Sequence, residues 1–458
     1  MNRNLFNRKG IIAGLMALSI FTSCESDDET LRKPDSIEIT TPNGSSSIFP
    51  SETLEFVGEV SDADFVNWYL GDAHMSDSSS FTYTFNEVGD FRALFSAGYT
   101  GADSLTAYRD ITVNPFNGFM VLSEGSFGAP GSESFTFVNT DRELKINGVF
   151  NAQNDGAEVG STLQSAVVSD NYIYAVAQNG PNLVSIINKE DLTLEQGLTS
   201  SELNFGEYIY PTNITLVDDA KAYVRSFYYD DFYATHSAVF ALDLTTNTLS
   251  KVDGVHANLG QMQIVGDELF TIEGDVLYIT NVTSNTLTET VALESVATTM
   301  VKDSQDNLVV VLTGENSKVV KINAASRNIT ETIDAPEGVS FASGSKNAYT
   351  TINPSTDAVY FIPYTAGDWG GTITNKMYEV KDGALKEAFD ISNWSDDEAG
   401  FPYGEIAFDE ATGNLMITTI KSYGEYDSNA LFFVDPSTGS VVKKYAGVGE
   451  FPAMVLPL

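Results

Sequence analysis

Beyond the first two dozen residues, apolar and polar positions alternate with a period of two in short runs. Gly, Asn, Asp, Ser and Pro interrupt these runs every few residues, which predicts short strands joined by tight turns. No stretch beyond residue 23 sustains a period of 3.6, so an all-β chain is expected. Two regimes are distinguishable. Within 36–114, strands are expected at 36–40, 53–59, 65–70, 81–85, 90–97 and 105–113, a spacing that suits a β-sandwich. Val113-Asn114-Pro115-Phe116 is the expected hinge into the remainder, 116–458.

In the second regime one unit recurs: an alternating strand, a polar turn and another strand. The first strand of the unit lies at 134–139, 182–188, 237–243, 275–281, 317–323, 375–381 and 429–435. A second series precedes these, anchored at Ser165, Ile214, Met262, Met300, Tyr349, Ile406 and Met454. Both series repeat every 38 to 58 residues. A period of this length filled by about four short strands is the mark of a propeller blade. A lone four-stranded sheet cannot bury both faces, so each must have a neighbour on either side. The segment 451–456 has no strands after it, and the first blade, near 119–122, lacks an inner strand. Pairing the two would close a seven-bladed ring and remove its open edges.

The chain carries 63 Asp+Glu against 24 Lys+Arg, a formal charge of −39. Nucleic acid and anionic membrane surfaces are therefore disfavoured as partners. One cysteine and three histidines argue against a disulfide scaffold, a zinc finger or a multi-histidine metal site. Arg3, Arg8 and Lys9 precede an apolar run at 11–21, too short to span a bilayer and apt for a secretory signal. Phe21-Thr22-Ser23-Cys24 resembles the relaxed lipobox of Bacteroidetes lipoproteins. The resemblance implies loss of residues 1–23, lipidation of Cys24 and a mature charge of −42, because the lost segment holds three basic and no acidic side chains. The acidic tether that follows, 24–35, carries Ser26, Asp27, Asp28 and Glu29, which resemble the surface-export signal of the same lipoproteins. An outer-membrane, surface-facing, lipid-anchored location is the expectation; multiple acyl chains suffice for stable anchoring.

In a propeller, the lead-in to each inner strand and the loop between second and third strands lie at the same end. Here those segments are rich in aromatic residues. Blade one offers Glu124 and Phe127; blade three offers Phe227, Tyr228, Tyr229, Phe232, Tyr233 and His236. Blade six offers Tyr364 and Trp369, and blade seven Tyr423 and Tyr426; the lead-ins add Tyr208, Tyr210, Trp394, Phe401 and Tyr403. Tyrosine and tryptophan bury a large area while keeping a polar tip, as a ring-bearing ligand or sugar asks of a site. Loops folding over themselves, or a protein-docking surface, would use the same residues. Interleaved aspartates should favour neutral or cationic ligands over phosphorylated ones. Hydrolase, metalloprotease, phosphate-loop and dinucleotide motifs are absent in any convincing context, so no catalytic residue, cofactor or metal is expected. His236 among Asp230, Asp231 and Tyr233 would carry the enzyme alternative, a propeller hydrolase or lyase, and an ordinary polar contact explains it as well. Asp218-Asp219 and Asp396-Asp397 could hold calcium, but turn chemistry accounts for them.

Three stretches within the first regime resemble the PKD module, an immunoglobulin-like domain in which the tryptophan packs in the core. They are Trp68-Tyr69-Leu70-Gly71-Asp72, Phe81-Thr82-Tyr83-Thr84-Phe85 and Gly89-Asp90-Phe91. Such modules serve as spacers. Gly118-Phe119-Met120-Val121-Leu122-Ser123-Glu124-Gly125-Ser126-Phe127-Gly128, followed by Ser134-Phe135-Thr136-Phe137, resembles the opening of a family of Bacteroidetes surface lipoproteins with a YncE-like propeller. Ser123 and Ser126 stand where that family often has Asn. Within the broader group are the BtuG-type cobalamin-binding lipoproteins. The resemblance implies capture of a bulky nutrient, a corrinoid first and a ferric siderophore or oligosaccharide next, and its transfer to a TonB-dependent outer-membrane transporter.

Overall fold

The computed structural model describes residues 32–41, 45–126, 133–203, 209–229, 235–258, 261–343, 349–365 and 372–458. Among them the chain is almost wholly strand and turn, and no helix is long and apolar enough to cross a membrane.

The first part forms two facing sheets. One pairs Ile37–Thr40, Glu52–Val60 and Ser80–Phe85; the other orders Ser47–Ile48, Ser104–Val113, Gly89–Gly98, Phe65–Leu70 and Ala73–Ser76. Period-two patterning sends Leu54, Phe56, Phe85, Phe95 and Ile111 inward around a fully buried Trp68. The Trp68 indole N–H donates to the Ser78 carbonyl at 3.1 Å, so its polar edge is satisfied.

Among the described residues, seven antiparallel sheets follow in chain order, six of four strands and the seventh with its inner strand in two pieces, Phe401–Pro402 and Ala407–Asp409. All seven unit strands read from the sequence are third strands of these sheets, and the second anchor series lies on or beside the first strands. Central strands such as Phe119–Ser123 and Asn307–Leu312 are buried nearly throughout because both faces are covered, while outer strands such as Thr286–Ala292 are largely exposed. Each consecutive pair of sheets shares one apolar cluster. The seventh packs on the first through Met416, Leu431 and Phe433 against Phe119, Val121 and Val138. The last strand, Pro452–Pro457, pairs with Phe119–Ser123 and supplies the first sheet's inner edge. There Gly404, at φ +87°, abuts that strand: a Cβ would lie 2.4 Å from the Pro452 carbonyl oxygen and 2.5 Å from the Ala453 carbonyl carbon. Only glycine allows this approach.

The turn from third to fourth strand explains the polar repeats. The strand's last Asp or Asn folds its side chain over the following N–H groups: Asp243 accepts from Thr245 and Thr246, Asn281 from Thr283 and Ser284, Asp435 from Ser437. Four residues on, the chain takes a left-handed conformation at Leu192, Asn247, Asn285, Arg327 and Gly439.

The joint between the two parts is packed. Phe49 and Phe116 are buried and meet Phe137 of the first sheet edge-on, at 5.0 and 4.8 Å between ring centres. Arg142 forks onto Glu52 at 2.5 and 2.9 Å, and Gln153 donates to Ser51. Phe116 N–H donates to the Glu190 carbonyl. The segment expected as a hinge is thus held by rings, an ion pair and backbone bonds.

Candidate functional site

Strand direction puts the lead-ins and the second-to-third loops of the seven sheets at one end, and the aromatic residues there gather into two clusters. In the third sheet Ile209–Asp218 and Lys221–Tyr229 pair so that Tyr210 faces Phe227, and their rings stack at 4.9 Å. Tyr229, two residues along on the same face, meets both edge-on. Alternation sends Tyr228 to the other face, where it stacks on His236 at 5.2 Å under the Lys251 ammonium. The consecutive run Phe227-Tyr228-Tyr229 therefore does not line one opening, contrary to the expectation from sequence.

The second cluster straddles the seventh and first sheets. Phe401 and Tyr403 lead into the seventh inner strand, Tyr423 and Tyr426 sit in the 421–428 loop, and Phe451 precedes the closing strand. Tyr423 has its ring centre 5.1 Å from Phe401, 6.3 Å from Tyr403 and 6.4 Å from Phe451. Phe451 also stacks on Tyr426 at 4.5 Å and touches Tyr403 at 5.3 Å. Tyr403 is buried while Tyr423 is 69 % exposed, so Tyr423 lies over the ring layer on its solvent side. Lys421 pairs with Glu425, Ser428 N–H donates to the Glu425 carbonyl, and Asn429 donates to the Tyr426 and Asp427 carbonyls; the loop is preformed.

Two carboxylates border this layer. The Tyr403 hydroxyl donates to Glu124 Oε2 at 3.0 Å, and the Ser126 hydroxyl donates to Glu450 Oε2 at 2.6 Å. Glu124 and Gly125 N–H groups donate to the Phe451 and Glu450 carbonyls, tying both acids to the closing strand. Phe451 holds φ +54°, a left-handed conformation that costs a bulky residue about 1–2 kcal/mol. Neither Phe451 nor Glu450 stood out in the sequence. The available signal was an aromatic–proline pair leading into inner strands: Tyr210-Pro211, Phe401-Pro402 and Phe451-Pro452.

Other expected residues fall elsewhere. Trp394 packs on Phe389 and Phe432 in the core between the sixth and seventh sheets, its N–H donated to the Gly439 carbonyl at 3.0 Å. Tyr364 is buried in a short ribbon, Tyr364–Thr365 with Thr372–Ile373. Tyr364 is buried and Trp394 partly buried, so apolar packing takes up both despite their loop positions. Phe127, Tyr208, Phe232, Tyr233, Trp369 and the Cys24, Ser26, Asp27, Asp28, Glu29 segment lie outside the described residues.

Beside the third-sheet cluster, Arg225 donates to the Ala257 carbonyl and the Thr212 hydroxyl, and burial pulls its guanidinium down to about 10. The Ser237 hydroxyl donates to Glu273 Oε1 at 2.5 Å, and His256 Nδ1 lies 3.6 Å from the other carboxylate oxygen. The serine thus addresses a carboxylate, not the imidazole, which is not the nucleophile–base order of acyl transfer. Asp396 is engaged by Lys444 at 2.7 Å, and Asp218 caps the Ala220 N–H, so one acid of each Asp-Asp pair is taken up by an ion pair or a turn bond. Among the described residues no cluster of His, Cys, Asp and Glu fits a metal ion. A cavity of about 330 Å³ lies at the opposite end, between the third and fourth sheets, lined by Lys221, Asp243, Ser250 and Asn285. Its Lys221 ammonium is taken by Asn285 at 2.6 Å and by the Val282 carbonyl.

Residues 117–456 match one family along their whole length, described as a domain of unknown function, DUF5074. The chain belongs to the DUF5074 family. No curated protein sequence matches it. This DUF5074 chain resembles a quinoprotein alcohol dehydrogenase-like protein from Bacteroides thetaiotaomicron at TM-score 0.58 and 13 % identity, covering 90 % of this chain and 95 % of that one. At that identity the likeness establishes the shared, propeller-like all-β fold and no chemistry. Two further structures align at TM-score 0.45. Dihydro-heme d1 dehydrogenase NirN does so at 10 % identity over 80 % and 72 % of the two chains, and Kuenenia stuttgartiensis hydrazine synthase at 13 % over 63 % and 88 %.

Proposed function

We propose that this chain is a seven-bladed propeller, closed by its last strand and preceded by a PKD-like sandwich, that captures a bulky ring-bearing ligand at the cell surface. The observation that carries the reading is the ring layer of Phe401, Tyr403, Tyr423 and Phe451, roofed by a tyrosine left 69 % exposed on a preformed loop. Stacking surfaces with polar tips, held on rigid strands, suit binding of a flat or cyclic molecule. The signal-like leader and Cys24 support lipid anchoring in the outer membrane, and the surface-lipoprotein resemblance supports hand-over to a TonB-dependent transporter. A corrinoid is the first candidate, with ferric siderophores and oligosaccharides next. Spectroscopic titration of the purified protein with cyanocobalamin should show tight binding that Tyr423→Ala removes. Absence of binding at micromolar ligand overturns the corrinoid version, and absence across a siderophore and glycan panel overturns capture at this site.

A further inference from the structure

We infer that the ring layer at the seventh and first sheets receives a cationic group, a protonated or quaternary amine, and that Glu124 and Glu450 are its charge-selecting residues. This rests on the capture reading and adds the charge of the ligand. The exposed ring faces and the acidic border carry it, and the backbone joining them is consistent with a held site.

First, the rings offer faces as well as edges. Tyr423 stands over Phe401, Tyr403 and Phe451 at 5.1 to 6.4 Å and is mostly open to solvent, so an incoming group meets π-faces with negative quadrupoles. A cation over such faces is attracted electrostatically, and more strongly once part of its hydration is lost.

Second, the border is acidic and held in place. Of the charged residues at 124–126, 421–428 and 449–452, Glu124, Glu425, Asp427 and Glu450 are acidic and only Lys421 is basic. Lys421 is paired with Glu425 at 2.7 Å. Glu124 and Glu450 are positioned by the Tyr403 and Ser126 hydroxyls, so their charges are fixed beside the rings rather than spread through solvent. An anionic ligand would meet this border at a disadvantage, and a neutral one would gain stacking alone.

Third, the backbone is strained where acids and rings meet. Phe451 keeps its left-handed conformation while its carbonyl accepts the Glu124 N–H at 2.9 Å and its ring stacks on Tyr426. Strain retained at one point, with surrounding contacts that over-determine it, points to a site.

The test compares choline with its neutral isostere 3,3-dimethylbutan-1-ol on the full purified chain, by calorimetry and saturation-transfer NMR at low and high salt. Choline is expected to bind at least tenfold more tightly, with the advantage shrinking in salt. Glu124→Gln with Glu450→Gln should erase most of the advantage, and Tyr423→Ala should remove binding of both probes. Equal binding of the two probes, no choline binding at millimolar concentrations, or a preference that survives the paired glutamine variant would each overturn the inference. If cyanocobalamin or a panel ligand still binds in a Tyr423-dependent way while choline shows no advantage, capture stands and charge selection falls. If nothing binds, both fall.

Discussion

Phe49→Ala tests whether the small sandwich is a clasp on the first of the seven sheets, which the last strand joins. Phe49 is 7 % exposed, belongs to the apolar cluster between the first and second sheets, meets Phe137 edge-on and lies under the Arg142 guanidinium at 5.3 Å. Truncating a phenylalanine so placed costs about 3–5 kcal/mol, which includes the pairwise ring and cation contacts. If the 340 residues of 117–456 unfold as a unit, their unfolding entropy is about 0.7 kcal/mol/K, from ~2.1 cal/mol/K per residue. The main calorimetric transition should then fall by about 4–7 °C. Arg142→Ala removes the fork to Glu52 but leaves Glu52 accepting from the Phe49 N–H at 2.7 Å. Arg142 is about one-third exposed but Glu52 only about a tenth, so losing the arginine leaves a mostly buried carboxylate and should cost about 3 kcal/mol, a shift of about 4 °C on the same entropy. Scanning calorimetry at one fixed scan rate is the assay, since a chain of this size can melt irreversibly. A Phe49→Ala protein whose main transition stays within a degree of the parent, with only a separate small transition displaced, would refute the clasp.

Gly404→Ala should destabilise by more than ~2 kcal/mol, because the new methyl meets backbone of the closing strand and the backbone is already left-handed; a lowered melting temperature or insoluble protein checks it. Tyr423→Ala should leave melting unchanged, since the side chain is mostly exposed, while lowering ligand affinity at least tenfold in titration. Asp243 is held below the usual carboxylate range by the Thr245 hydroxyl and the Thr246 and Thr245 N–H groups, and Asp435 by the hydroxyl and N–H of Ser437. A depressed folded pKa means their contribution is complete above the unfolded value near ~4 and is lost as pH falls below it. Melting temperature should therefore drop through the acid range, and Asp435→Ala should flatten that drop.

The periodicity of the chain displayed the strands well, because the seven sheets repeat nearly the same demand: a buried centre, a more exposed outer strand and, in six of the seven, an Asx-closed turn, the sixth turning instead through Asp382-Gly383. Third strands were legible for a further reason, since their terminal Asp243, Asn281 and Asp435 are fixed by turn geometry rather than by distant packing. The site was less legible, because aromatic content says how much area seeks burial and not in which direction. Strand pleat divides Phe227 and Tyr229 from Tyr228, and the core between sheets six and seven draws in Trp394 although it follows a strand end as a loop residue would. Phe451 escaped notice for the opposite reason: Phe451-Pro452 looks like the opening of an ordinary strand, and only the left-handed backbone turns its ring onto Tyr426. The joint at 113–116 hid in the same way, because Phe49 and Phe116 lie far apart in sequence and share a partner, Phe137, only once the first sheet has formed. Features set by local chemistry were visible along the chain, and those set by which distant element supplies the other wall were not. The ring layer is of the second kind. Its Glu124 and Tyr403 stand 279 residues apart and meet only because the last strand joins the first sheet. On the capture reading, a ligand seated on that layer binds only the chain in which the last strand has joined the first sheet, so it should raise the melting temperature of this protein by mass action, and the same gain should vanish in Tyr423→Ala.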